Sequence, residues 1–260
     1  MTSSKFETND DRLDFVIKKA NGTKVLVHRS LEIIPNQYTQ PKEHRLDKSQ
    51  IDNQESIATI DLSNFFDLNV EKLIQEVSTK WGCFQIINHG IPIGGLEDLK
   101  NAAHKFFELL VEEKVKYCKD SYSASESVLM FWSAIGEKNE NVLEWTDSIK
   151  HGSNPQNDSN LWPPQTRYQV LEYQKWAKPL AKKLLEVLLN GLNVNEIDES
   201  LEPFLMGTMN INMNYYPPCP NPSITMGALR QTTGPTSLCS SNMTWEAYMS
   251  EGLKEIVGST

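Results

Sequence analysis

A chain of 260 residues with 39% hydrophobic and 9% aromatic side chains can fill a core, which excludes disorder along its whole length. Its 34 acidic and 25 basic residues leave a net charge of -9, so no surface of excess positive charge is on offer to phosphate backbones and a nucleic-acid partner is not expected. The opening residues are polar and acidic, and no apolar run reaches membrane-spanning length, so the expectation is no membrane partner and a cytoplasmic location. Four widely spaced cysteines, Cys83, Cys118, Cys219 and Cys239, form no C-x-x-C pair and read as free, mostly buried thiols.

Residues 1–56 are polar with apolar islands at Phe15-Val16-Ile17 and Leu31 to Ile34, and Pro35 and Pro41 interrupt any long helix; the expectation is an extended arm packed on a domain. Ala58 to Leu62 is strand-like. Leu73, Val77 and Trp81 recur at helical spacing and place one face of a helix over Val70 to Trp81, with Gly82 as its stop. Cys83 to Ile87 is a second strand candidate closed by Asn88-His89-Gly90. Leu96, Leu99, Ala103, Phe106 and Leu110 then mark a second amphipathic helix. A polar, Pro-containing loop over Ser153 to Pro164 leads into a long helix from Arg167 to Leu189, with Leu180, Leu184 and Leu188 in register and Asn190-Gly191 as its stop.

Thr208 to Tyr216 carries the most information. Met209, Ile211, Met213 and Tyr215 alternate with Asn210, Asn212, Asn214 and Tyr216 at the period of a strand, giving one apolar and one amide-rich face, and Pro217-Pro218-Cys219-Pro220 ends it. An amide-rich face suits a strand lining a wet cavity or ligand site, and equally an edge strand with a solvated face. Residues 228–260 are rich in Ser and Thr and show no period of either kind.

The run Trp81-Gly82-Cys83-Phe84-Gln85-Ile86-Ile87-Asn88-His89-Gly90-Ile91-Pro92 resembles the N-terminal signature of plant 2-oxoglutarate/Fe(II)-dependent dioxygenases. Ile60-Asp61-Leu62-Ser63, Phe106-Phe107 with Glu112-Glu113-Lys114, Glu144-Trp145, Trp162-Pro163 and Asn214 to Pro220 follow in that family's order. The arm, with Asp14 to Ile17, Asn21-Gly22 and Gln40-Pro41, is similar to the subgroup of aromatic ortho-hydroxylases that act on feruloyl-CoA or scopoletin. The resemblance covers about Asp14 to Met226. It departs from the family at Ala58, Cys83 and Leu110, none of which touches the chemistry.

The resemblance implies an α+β fold: a helical N-terminal dioxygenase region followed by a double-stranded β-helix (jelly roll), incomplete in these 260 residues. It divides the chain into an arm (1–56), the dioxygenase N-terminal region (57–166), the long helix and first strands of the oxygenase core (167–227) and a divergent tail (228–260). It further implies Fe(II) and 2-oxoglutarate as cofactors, supported by ascorbate, and a small aromatic phenylpropanoid or coumarin precursor as substrate. Iron in this family is held by two His and one carboxylate, two of them from an H-x-D pair, while an R-x-S pair grips the distal carboxylate of 2-oxoglutarate.

Neither pair is present. The five histidines, His28, His44, His89, His104 and His151, are not followed two residues on by Asp or Glu, and the five arginines, Arg12, Arg29, Arg45, Arg167 and Arg230, are not followed two residues on by Ser. Arg230-Gln231-Thr232 comes nearest. His89 is expected to shape a turn and His104 to pack on a helix face. Glu144-Trp145 and Trp162-Pro163 are expected to serve packing. The expectation is therefore no metal ligands and no catalytic residues in this chain, leaving Asn214 and Tyr216, by resemblance, as side chains that contact 2-oxoglutarate; two contacts without metal or guanidinium hold a dicarboxylate weakly.

The tail permits an explanation. Taking the third base of each codon from Thr236 onward with the first two of the next, suitable codons read LTVLLQHDMGGLYVRGLEGD, which resembles the family's segment after its H-x-D. Two letters are forced: Met243-Thr244 must give Asp, and Trp245-Glu246 must give Gly. A frameshift or mis-splice that changes the frame near Leu229 to Thr233 is the expectation.

Overall fold

The computed structural model describes residues 22–29, 33–45, 56–117, 130–135, 142–152, 159–194, 202–207 and 209–227, together with Phe15 and Ile197. In chain order the elements are α1 (Thr23–His28), β1 (Thr59–Asp61), α2 (Leu68–Trp81), β2 (Gln85–Ile87), α3 (Ile93–Phe107), α4 (Val111–Lys114), β3 (Met130–Ile135), β4 (Leu143–His151), α5 (Arg167–Asn190), α6 (Glu202–Met206) and β5 (Ile211–Tyr215). Helices and strands are both present, as an α+β class requires. The frame-change reading, Cys118 and Cys239 lie outside the described residues.

The first unit runs strand, helix, strand, helix as the periodicity predicts. β1 and β2 pair in parallel, Ile60 opposite Ile86, with α2 between them in sequence. Asp67 caps α2 by accepting the Asn69 N–H at 2.8 Å, and Gly82 ends it at φ 68°, a conformation that glycine adopts without the Cβ penalty. The buried face of α2 is centred on Ile74 and Val77 rather than on Leu73, which is 41% exposed. The helix rolls because its partner is α5: Leu184 and Val187 close over Ile60, Leu62, Ile74 and Val77.

α3 buries Leu99, Ala102, Phe106 and Phe107. Leu110, expected on the same face, stands beyond the end of the helix and is exposed. The main core lies between α3, α5 and one face of the second sheet, where Phe106, Phe107, Ile149, Trp162, Val170, Tyr173, Ile211 and Met213 interlock. Trp162 supplies packing there, as expected.

That second sheet has the order β3-β4-β5, antiparallel throughout. Sequence periodicity did not reveal β3 and β4. Along β4 the core-facing positions are Leu143, Trp145, Asp147, Ile149 and His151, and two polar residues among five conceal the alternation. β5 is shorter than the run Thr208 to Tyr216, and among the described residues it is an edge strand, with Ile211 and Met213 buried and Asn212 and Asn214 exposed.

The arm packs on the domain, but it is not simply extended. It holds α1 and two single 3-10 turns, Asn36–Tyr38 and Lys42–His44, each entered through a proline. Leu26, Ile34 and Tyr38 form a second cluster with Leu143 and Trp145. Tyr38 meets Trp145 edge-on at 5.1 Å, and Phe15 reaches Tyr38 at 6.4 Å. Of the cysteines described, Cys219 is partly buried and Cys83 is exposed, a correction to the expectation of buried thiols.

Candidate functional site

The β4–β5 register sorts the polar residues of the sheet. Asp147 lies opposite Tyr215, Ile149 opposite Met213 and His151 opposite Ile211, and these pairs face the helices. Ser148 lies opposite Asn214 and Lys150 opposite Asn212, and alternation turns these pairs to the other face. On that face the Ser148 hydroxyl donates to Asn214 Oδ1 at 2.8 Å. Ser148 is 3% exposed, whereas Asn214 is open to solvent. Tyr216 follows one residue past β5 and is half-buried; a Cβ placed on Gly227 would stand 3.3 Å from its ring, so the chain returns closely over it. Asn214 thus lies on the exposed face of β5, and Tyr216 just beyond the end of the strand.

Three of the described histidines are engaged elsewhere. His89 Nδ1 accepts the Ile91 N–H at 3.1 Å within a turn where Asn88 (φ 53°) and Gly90 (φ 81°) take left-handed conformations, and Asn88 donates to Asp61 at 2.9 Å. His104 stands edge-on to Tyr215 at 6.0 Å. His28 is exposed in the last turn of α1. His151 is fully buried at the end of β4, with Nε2 2.8 Å from Thr166 Oγ1 and its ring edge-on to Trp162 at 5.2 Å. Burial pushes its pKa down to about 4, with a smaller opposing contribution from the backbone of Ile211, so the imidazole is neutral at pH 7.

A buried neutral imidazole and a buried carboxylate on one strand invite comparison with a metal site. His151 and Asp147 are four residues apart, roughly 13 Å by strand rise, far beyond what one ion spans. Among the described residues no three His, Cys, Asp or Glu side chains come together to hold a metal. The donor set on the described residues does not fit an iron centre of two imidazoles and a carboxylate, and Asn214 and Tyr216 have no arginine beside them in sequence.

Asp147 was not singled out by the sequence. Its carboxylate is 1% exposed and accepts the backbone N–H groups of Thr23 at 3.0 Å and Lys24 at 3.1 Å, at the start of α1. The signal was an acidic residue at an apolar position of a half-concealed strand, paired with Gly22-Thr23 more than a hundred residues away. No local pattern joins the two.

Residues 57–170 match the family of the non-haem dioxygenase in morphine synthesis N-terminal region. The chain is 42% identical to a bi-functional coumaroyl CoA and feruloyl CoA ortho-hydroxylase of Ipomoea batatas over 84% of its own length and 61% of that protein's. It is 41% identical to feruloyl CoA ortho-hydroxylase 2 of Arabidopsis thaliana, over 88% of this chain and 64% of the relative. Its fold is similar to the solved structure of JOX2 in complex with 2OG, Fe, and JA, with a TM-score of 0.64 and 25% identity over 79% of this chain and 59% of that one. Over most of its length the chain is therefore similar to the plant 2-oxoglutarate/Fe(II)-dependent dioxygenases. It spans less than two thirds of the length of these feruloyl CoA ortho-hydroxylase relatives. Among the described residues no helix is long and apolar enough to cross a membrane.

Proposed function

We propose that this chain descends from hydroxylases of aromatic phenylpropanoid and coumarin precursors and that its 260 residues do not themselves carry out the reaction. The observation that carries this reading is chemical: no histidine in the sequence is followed two residues on by Asp or Glu, and no arginine two residues on by Ser. The placement of His89, His104 and His151 in a turn, a ring contact and the core supports it. Three strands, β3 to β5, are read as the opening of a double-stranded β-helix, with residues 1–56, 57–166 and 167–227 as arm, N-terminal region and incomplete core, and 228–260 as a tail of different origin. Asn214 and Tyr216 are read as the remaining contacts for 2-oxoglutarate, too few to hold it firmly. When bound, iron and 2-oxoglutarate would supply the oxidant that hydroxylates the ring; nothing in the donor set described above holds the iron. What remains is a non-enzymatic relative, cytoplasmic, with an interaction role or none.

The test is turnover. The full chain is incubated with Fe(II), ascorbate, 2-oxoglutarate and feruloyl-CoA, and succinate is measured. No succinate above the protein-free control is expected. Iron-dependent succinate release matched by a hydroxylated product overturns the proposal.

A further inference from the structure

Strand β4 carries two adjacent anchors for the arm on alternate positions. Asp147 takes the first N–H groups of α1, and the approach is close: a Cβ on Gly22 would lie 3.4 Å from Asp147 Oδ1 and 3.5 Å from Oδ2. Lys24 extends the contact sideways, its ammonium 3.8 Å from Glu108 at the end of α3 and 5.3 Å over the ring of Tyr215. Two residues before Asp147, Trp145 receives Tyr38 edge-on. A buried carboxylate on two backbone N–H groups is a charge-assisted contact with no competing water, so its loss leaves those donors unsatisfied.

The same arm also reaches the segment after β5. Gln40 N–H donates to the Ile224 carbonyl at 2.8 Å, and Arg45 Nε donates to the Gln40 carbonyl at 2.9 Å. Trp145 closes the circuit: its backbone N–H donates to the Met226 carbonyl at 2.7 Å and its indole N–H to the Pro217 carbonyl at 3.1 Å. Residues 217–226 are thus held at both ends by Trp145 and in the middle by the arm. Four prolines, Pro217, Pro218, Pro220 and Pro222, remove backbone donors from this stretch, and it lies outside the strand ladder, so these outside bonds, together with the turn that Ile224, Ser223 and Thr225 close on Asn221, fix its course.

We propose that residues 22–29 and 33–45 act as a strap, fastened at Asp147 and Trp145, that fixes the course of residues 217–226, and that Asp147 is its positioning residue. The path is covalent and contiguous: Asp147 sets α1, the turn at Tyr38 sits on Trp145, and Gln40 holds Ile224. Loosening the first fastening then loosens the last, while α2, α3 and α5, which have their own cores, stay as they are.

The experiment is amide hydrogen exchange by mass spectrometry on the full chain and its Asp147→Asn variant. Exchange about tenfold faster is expected in peptides from both 22–45 and 217–227, with α5 unchanged. Faster exchange at 22–45 with 217–227 as in the parent overturns the strap. If the variant loosens α5 as well, the deciding variant is Arg45→Gln, which removes only the bond to the Gln40 carbonyl: faster exchange at 217–227 supports the coupling, and unchanged exchange there overturns it.

Discussion

Ser148 Oγ donates to Asn214 Oδ1 at 2.8 Å across the β4–β5 ladder, on the sheet face turned away from the aromatic core. The buried partner is the hydroxyl, so the two ends of this bond are unequal: water replaces what Asn214 loses and reaches Ser148 poorly. Asn214→Ala is therefore expected to cost about 1 kcal/mol in urea unfolding with an unchanged m-value. A larger loss with a changed m-value would mean that Asn214 supports more than its cross-strand pair.

His151 makes stability depend on pH in a definite direction. Its pKa is about 4 in the folded protein, pushed down by burial, against about 6.5 for an exposed imidazole. The unfolded chain binds the proton first, so stability is fully present above pH 6.5 and is lost as pH falls toward 4, by on the order of 3 kcal/mol over the whole window. Asp61, whose pKa is lowered by the Ser63 backbone N–H and then by Asn88, acts in the same direction but only below the carboxylate range. Between pH 6.5 and 5 the loss belongs to His151, and His151→Phe should flatten the pH dependence of the melting temperature there. An unchanged slope would contradict the burial argument.

At Gly95, α3 comes close against Trp176 of α5. A Cβ at that position would stand 2.2 Å from Cζ3 and 2.5 Å from Cη2 of Trp176. Gly95→Ala gains helix propensity, worth up to about 1 kcal/mol, but must push an indole out of the rim of the core, which costs about 1–3 kcal/mol. The expected result is a net loss of stability with a shifted tryptophan emission. A stabilised variant with unchanged emission would show that the ring moves freely.

The tail supports a prediction at the level of nucleic acid. If a frame change separates residues 228–260 from the rest, the transcript read one frame away from Thr236 onward gives the string LTVLLQHDMGGLYVRGLEGD, and an H-x-D appears upstream of it. A transcript whose neighbouring frame gives an unrelated string contradicts the frame change.

Legibility in the sequence followed how local the determinants were. The strand-like run Ala58 to Leu62, Gly82, Asn88-His89-Gly90 and the apolar spacing over 70–110 mark β1, α2, β2 and α3 within short windows, and the long run from Arg167 to Leu189 gave α5 almost to the residue. The alternation about Asn212 and Asn214 gave β5. The β3–β4 hairpin escaped because Asp147 and His151 occupy core positions, each satisfied by a partner that sequence spacing cannot reveal: the start of α1 for Asp147, Thr166 for His151. The helix in the arm escaped for the same reason, since its N-terminal donors are met by a residue 124 positions away. Of the candidate site, the exposed face carrying Asn212 and Asn214 was readable from alternation; the Ser148 contact was not, because register between strands is a tertiary property.

Metal binding separates a hydroxylase from a non-enzymatic relative. Mn(II), which occupies oxygen and imidazole sites without undergoing oxidation, can be titrated calorimetrically into the full chain with 2-oxoglutarate present. No saturable one-to-one binding is expected, because His89, His104 and His151 sit in a turn, an aromatic contact and the core, His28 is exposed on α1, and among the described residues no three potential ligands come together. A single site of micromolar affinity that requires 2-oxoglutarate would contradict the account and place an iron centre in this chain.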